Sequence, residues 1–436
     1  MSASLPIGSE KIKVRLLAVG IVGFLSALSI GVDGHPIFQI IAVETLGLGP
    51  RAIGIALGLG TLSIPVQIWA ARIPLRRARH NVRLFLHSMG AMALATAALV
   101  ALAEPGSWVA GLALVVAVVA EISVSVLMAT AWQPLISYSL SPVQRAFMLG
   151  PAAAIRGVVI LGSTVLVGVL DRTGRTVFLV AVGLAVLAVA ETLRRLPAPP
   201  DSELAGDDDA GTPPAPPEVA SGELGTGSYK SSARDPLPDG VTNLYVMMAA
   251  GALGRWPLLV TYAAVKLWPT GNLGLLGAAM AAGSITASTL WRNPGRHVLT
   301  VIRIGAATAG LWTIGLVAIN GPVSSTATAA VLLAIAALGT ASRSVVGTAT
   351  IELLHRRIDR TNSVRIMTML DVIGSTTAQL NMFVAGFLIA ASASTTEFTV
   401  GGLDVFELWI LTMAVVEVAA AAHLRMRPGD VAAPAT

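Results

Sequence analysis

Long apolar segments separated by short polar ones run along almost the whole chain. Each reaches about 20 residues, the length an α-helix needs to cross a bilayer. The pattern predicts twelve membrane-spanning helices and a helical fold throughout. They are Val14–Ala42, Ala52–Ala70, Leu84–Leu102, Trp108–Leu135, Ala146–Leu170, Val177–Leu193, Leu244–Leu267, Leu273–Leu290, Val301–Ile319, Ala327–Leu353, Ile366–Ala391 and Phe406–His423.

Composition supports an all-α membrane protein. Of the 436 residues, 54% are hydrophobic and 12% are charged, whereas a soluble domain carries about 25% charged residues. The first apolar segment is long enough to remain as a signal anchor, so we expect no cleaved leader. With no cysteine in the chain, disulfides, thiol catalysis and thiolate metal sites are excluded. Abundant Ala, Gly and Arg favour a bacterial gene.

Lys and Arg are concentrated in alternate loops. The segments expected outside hold only Arg51, Arg172, Arg175 and Lys266, and the other loops carry most of the remaining basic residues. Cytoplasmic loops are enriched in Lys and Arg. The distribution predicts a multi-pass protein of the cytoplasmic membrane with both termini inside.

A Pro-rich, acidic segment divides the twelve helices six and six. Residues 197–240 contain Asp207–Asp209 and a Pro-Pro-Ala-Pro-Pro run, a composition typical of disordered linkers. We therefore expect an N-terminal half at 1–196, a cytoplasmic linker at 197–240 and a C-terminal half at 241–436. The basic stretches 79–83 and 296–300 each precede a Gly/Ala-rich helix, which indicates two related halves.

This topology resembles the major facilitator superfamily of transporters. Residues 46–54 are similar to the short outer turn into that family's second helix, and 71–79 stand where it carries Gly-x-x-x-Asp-Arg-x-Gly-Arg-Arg. The basic character survives in Arg72, Arg76 and Arg77, the candidate gating loop, but the motif's Asp is missing. The resemblance implies two pseudo-symmetric six-helix halves, with helices 1, 4, 7 and 10 lining a central cavity.

Charged residues inside the apolar segments are the candidate functional residues. Each costs roughly 2.5–3.5 kcal/mol at a helix centre, and such residues mostly mark transport pathways. Structural ion pairing, for example between Glu121 and Arg156, is the alternative for any one of them. The six are Asp33, Glu121, Arg156, Arg255, Arg343 and Asp371.

The acidic members are candidates for proton coupling. Burial in a medium of low dielectric constant favours the neutral form of a carboxyl group, so Asp33, Glu121 and Asp371 are suited to loading and releasing protons. Asp33 is favoured because flanking Gly and Pro residues weaken its helix. His35 adds a second titratable group, although a polar residue facing water outside the membrane is the alternative.

The basic members are candidates for substrate binding. The planar guanidinium group suits carboxylate or phosphate. Arg255 stands in Gly-Arg-Trp-Pro, where the helix can break and Trp256 can stack on a flat substrate. Arg343 lies between two serines, Arg156 is a further candidate, and Gln133 is placed to hydrogen-bond substrate.

These features favour a proton-coupled secondary transporter working by alternating access. Efflux of a small hydrophobic or amphipathic compound is the first expectation, and uptake of an organic anion is the second. A non-transporting scaffold or sensor is a third reading. The sequence shows no P-loop or hydrolase motif. We expect a monomer in the lipid bilayer, without enzymatic activity, cofactor, metal or nucleic-acid partner.

Overall fold

A computed structural model describes residues 36–65, 75–119, 158–159, 161–195, 258–269, 271–290, 297–319, 322–357, 363–394, 399–400 and 402–424. These residues form twelve helical segments in the predicted order. They are α1 (Pro36–Ile40), α2 (Pro50–Gly58), α3 (Leu75–Leu102), α4 (Trp108–Val119), α5 (161–169), α6 (Arg172–Arg195), α7 (Leu259–Tyr262), α8 (Leu273–Leu290), α9 (Val298–Val317), α10 (Thr326–Arg357), α11 (Ser363–Ser394) and α12 (Val405–His423).

Three of these segments change their winding at one end. Helix α1 continues as a π-helical turn at Ile41–Thr45, and α7 continues as another at Ala263–Leu267. Helix α2 continues as a 3₁₀ turn at Leu59–Ser63.

Several helices extend beyond the apolar segments that predict them. Helix α3 begins at Leu75 rather than Leu84, so Arg76 and Arg77 lie in its first turn and not in a loop as predicted. Helix α6 begins at Arg172 rather than Val177. The apolar pattern marks the part of a helix that suits hydrocarbon, whereas backbone hydrogen bonding continues into the charged ends.

One end of the helix bundle carries most of the described tight turns, and we call it the closed end. The turns at 46–49 and 103–107 meet there, because the Gly106 N–H donates to the Leu46 carbonyl at 2.8 Å. Gly47 and Gly106 have φ angles of 61° and 72°, which favour glycine. The Val323 N–H donates to the Leu267 carbonyl at 2.6 Å and joins two further turns.

A two-stranded hairpin precedes α12 at the closed end and departs from the purely helical expectation. Strand β1 (Thr399–Val400) pairs antiparallel with β2 (Leu403–Asp404). Asp404 then forms a capping box with Glu407: its side chain accepts from the Glu407 N–H, and the Glu407 side chain accepts from the Asp404 N–H. This reciprocal cap satisfies two first-turn donors of α12.

Within each half, the described helices pack against one another in both consecutive and non-consecutive pairs. Helix α3 contacts α6 in the N-terminal half (α1–α6), and α10 contacts both α8 and α9 in the C-terminal half (α7–α12). Three helices of the described part are long and apolar enough to cross a membrane: α9, α12 and the portion of α10 from Thr326 to Thr350. Helix α9 exposes Ile304, Leu311 and Ile314, an apolar surface suited to lipid.

Candidate functional site: the contact between the two halves

The two halves present matching helix ends at the closed end. The π-helical turns after α1 and α7 are both five residues long. One contains Ala42-Val43-Glu44 and the other Ala264-Val265-Lys266, at a constant offset in the sequence. These turns therefore occupy equivalent positions in two repeats of one architecture.

Gln39 and Thr261 join these equivalent helices across the boundary between the halves. The Thr261 backbone N–H and its hydroxyl both donate to the Gln39 Oε1, each at 2.9 Å. The two residues are 222 positions apart, the offset that also relates the π-helical turns. Both are buried. This contact therefore lies on the pseudo-twofold axis that relates the halves.

Two glycine crossings flank the axis. A Cβ atom added to Gly54 of α2 would lie 2.8 Å from the Gly386 Cα of α11, and one added to Gly168 of α5 would lie 2.6 Å from the Gly274 Cα of α8. Real Cβ atoms do not approach that closely. Small residues let membrane helices pack backbone to backbone. Because helices 2 and 8 are equivalent, as are 5 and 11, the two crossings form a symmetric pair.

Helices α2 and α11 also meet through larger side chains. Phe383 packs against the Gly58 position, where an added Cβ would lie 2.7 Å from its ring. The Arg51 guanidinium carbon lies 5.5 Å from the centre of the Phe387 ring, within the range of a cation–π interaction. The halves are therefore in direct contact at the closed end.

A buried arginine anchors the π-helical turn of α1 inside the N-terminal half. Arg175 of α6 donates from Nε to the Val167 carbonyl at 2.8 Å and from Nη1 to the Thr45 hydroxyl at 3.0 Å. Its Nη2 also forms an ion pair with Glu44. Each of the three guanidinium nitrogens therefore has a partner. A buried guanidinium group without partners would be costly.

The C-terminal half anchors its π-helical turn through an ion pair in which the turn carries the basic residue. Lys266 forms an ion pair with Asp404, and its Nζ lies 3.9 Å from the Glu407 carboxylate. The Tyr262 hydroxyl donates to the Glu407 carboxylate at 2.9 Å. The centres of the Tyr262 and Phe406 rings lie 4.6 Å apart. The acidic residue is thus on α1 in one half, and the basic residue is on α7 in the other.

Most predicted site residues lie outside the described residues, and so does the predicted linker. These residues are Asp33, His35, Arg72, Glu121, Gln133, Arg156, Arg255 and Trp256.

Four predicted site residues lie on described helices, and two of them, Arg76 and Arg77, are in the first turn of α3. Arg343 lies on α10 and is partly buried; next to it, the Ser344 hydroxyl lies 2.9 Å from that of Ser284 on α8. Asp371 lies on α11, although its side chain is outside the described part. Because the other membrane-embedded candidates lie outside the described residues, the roles of Arg343 and Asp371 remain predictions.

Glu417 and Gln379 are buried polar residues inside the helices that, like Gln39 and Thr261, the sequence reasoning missed. Glu417 on α12 is 2% exposed, about 18 Å along the helix from its start. Gln379 on α11 is equally buried, and its Oε1 accepts no hydrogen bond from any described residue. Gln379 precedes Phe383 and Gly386 by four and seven positions, so it shares their helix face toward α2. An interruption of the apolar pattern was the available signal for both.

Comparison with known structures gives the class of this fold. The chain is similar to a bacterial homologue of the iron transporter ferroportin in the outward-facing state (TM-score 0.58, 15% identity, 94% of this chain and 98% of that chain). It is also similar to the nucleoside transporter NupG (TM-score 0.56, 12% identity, 93% of this chain and 97% of that chain). A third similar structure is the E. coli fucose:proton symporter FucP (TM-score 0.55, 16% identity, 94% of this chain and 98% of that chain).

FucP is a major facilitator superfamily transporter. The chain therefore has the major facilitator superfamily fold, that of a multi-pass membrane protein with two six-helix halves. No protein-family model and no curated protein matches the sequence.

Proposed function

We propose that this chain is a secondary active transporter that moves a small molecule across the cytoplasmic membrane by alternating access. The contact of Gln39 with Thr261 on the pseudo-twofold axis is the observation that carries this proposal. Related halves that meet around such an axis can rock against each other and open a central site to either side.

The Lys and Arg distribution assigns the closed end to the outside of the cell. With that orientation, the two glycine crossings and the Gln39–Thr261 contact close access from outside. We infer from these contacts that substrate neither enters nor leaves through this end in this state. Separation of α2 from α11 and of α5 from α8 opens it.

Proton coupling is assigned to carboxyl groups within the membrane-spanning helices. Asp33 remains the first candidate, followed by Glu121 and Asp371, with His35 as a nearby titratable group. Glu417 joins this set because it is buried in α12. An ionisable residue at this depth is expensive and marks a functional position by default.

Efflux of a hydrophobic or amphipathic compound is the favoured direction because the spans are rich in Ala, Leu and Val. Uptake of an organic anion is the second candidate, and Arg343 favours it because the residue is partly buried on α10 beside Ser344. Arg255 remains the first substrate-binding candidate for either direction.

A metabolite comparison between cells with and without the gene tests transport first. The compound whose internal level changes is then loaded into proteoliposomes under an imposed pH gradient. We expect flux that follows the gradient, and loss of uphill flux with retained binding in Asp33→Asn. A protein that binds the compound but produces no flux would be a sensor or scaffold instead.

A second comparison separates anion uptake from efflux. Arg255→Gln should impair transport of an anion far more than transport of a cation if a guanidinium clamp binds the substrate. Equal loss for both would exclude the anion clamp. Arg303→Gln provides a control, because Arg303 of α9 donates to the Ala422 and Leu424 carbonyls within the C-terminal half and takes no part in the described contact between the halves.

A further inference from the structure

The first turn of α7 lacks the cap that a helix normally supplies for itself. The first N–H groups of a helix have no acceptor within it, and a Ser, Thr, Asp or Asn at the N-cap usually accepts from one of them. Here the N-cap is Leu258, which forms no side-chain cap. The Tyr262 N–H is bonded within the helix, to the Leu258 carbonyl at 2.8 Å.

The missing cap comes from the opposite half. The Thr261 N–H, at the third position of α7, donates to Gln39 of α1 at 2.9 Å, and the Thr261 hydroxyl donates to the same oxygen. One amide oxygen with two acceptor sites thus satisfies both polar groups. All of these atoms are buried, because Gln39 and Thr261 are 2% and 0% exposed.

We propose that Gln39 is a latch: by capping α7 from the other half, it holds the closed end shut and sets how readily this end opens. Separation of the halves removes the acceptor from two buried donors at once, which is costly until water reaches them. The latch rests on the proposed alternating access, since it regulates the opening step of that cycle. The flanking glycine crossings add close packing of the helices, and this pair adds two buried hydrogen bonds between the halves.

The chain contains no cysteine, so a single introduced thiol reports opening without background. Ala42 is fully buried and lies three residues after Gln39, one turn nearer the closed-end loops. The labelling rate of Ala42→Cys by a water-soluble maleimide, with the full chain in lipid nanodiscs, measures how often this end opens. The measurement needs no substrate.

In this background Gln39→Leu should raise the labelling rate about tenfold, since it removes the acceptor for two buried donors. Thr261→Val removes only the hydroxyl donor and should give a smaller increase. Thr313→Val is the matched control: Thr313 is a buried threonine of α9 whose hydroxyl donates to its own helix at Ala309. It should leave the rate unchanged.

A wild-type rate in folded Gln39→Leu would overturn the latch, as would an equal increase in Thr313→Val. If Gln39→Leu does not fold, the labelling rates of Thr261→Val and Thr313→Val are compared. Equal rates in these two variants would overturn the latch. The result is independent of transport: faster labelling without flux in proteoliposomes supports the latch and contradicts the transporter, whereas flux with unchanged labelling does the reverse.

Discussion

Glu44 and Lys266 stand at the same position of two matching π-helical turns and carry opposite charges. Each is paired within its own half, Glu44 with Arg175 near the start of α6 and Lys266 with Asp404 just before α12. The repeats have thus kept the geometry of the anchor and inverted its polarity. Helices α1 and α7 are thus each tied to another helix of their own half, α6 and α12 respectively.

The Arg175 side chain is buried, so loss of its partner Glu44 should destabilise the N-terminal half. Glu44→Gln should lower the free energy of unfolding by about 1–3 kcal/mol, less than for a fully buried pair because Glu44 is partly exposed. Thermal unfolding in detergent measures this. A Glu44→Gln variant as stable as the parent chain would show that the pair is not a structural anchor.

Tyr262 should stabilise the C-terminal anchor through its bond to Glu407. Tyr262→Phe removes a buried hydrogen bond to a charged group and should cost about 1.5–3 kcal/mol in unfolding free energy. Thr412→Val on α12 is the comparison variant, because the Thr412 hydroxyl is exposed and donates to its own helix. Equal thermal shifts for the two variants would count against a specific Tyr262 contribution.

The glycine crossings make a steric prediction. Gly54→Ala places a Cβ 2.8 Å from the Gly386 Cα, so α2 and α11 must move apart. We expect faster maleimide labelling of Ala42→Cys than in the parent chain. Gly111→Ala is the control, because nothing lies within 4 Å of the added Cβ there. Unchanged labelling in Gly54→Ala would mean that the crossing does not determine closure.

Substitution of Gln379 can show whether this buried residue serves packing or transport. Its Oε1 is buried without a described partner, and replacement of such a group by an apolar side chain of similar size is neutral or stabilising. Gln379→Leu should therefore keep or raise the midpoint of thermal unfolding while it lowers transport of the compound found by the metabolite comparison. Reduced stability together with normal transport would assign Gln379 to packing.

Much of the fold could be predicted from the apolar pattern, because a bilayer demands a fixed length of apolar helix. Helix α8 matches its predicted span, Leu273–Leu290, at both ends. Helix α3 does not, because charged residues such as Arg76 continue a helix beyond the hydrocarbon, where hydropathy carries no signal.

The contact between the halves could not be predicted in the same way. Gln39 is a single polar residue in an apolar run, and its partner Thr261 is distant in sequence. Only the fold brings the two equivalent helices onto one axis. The internal similarity around Glu44 and Lys266 was the available signal, and it is weak because the charge is inverted between the repeats.

The most direct test of alternating access is to tie the halves together at the closed end and measure flux. Arg51→Cys with Phe387→Cys places one thiol on each side, on α2 and α11, in a chain without other cysteines. A short cleavable bis-thiol crosslinker joins them in proteoliposomes. Alternating access predicts that pH-gradient-driven flux of the identified compound stops on crosslinking and returns when the linker is cleaved. Unchanged flux at complete crosslinking would contradict alternating access.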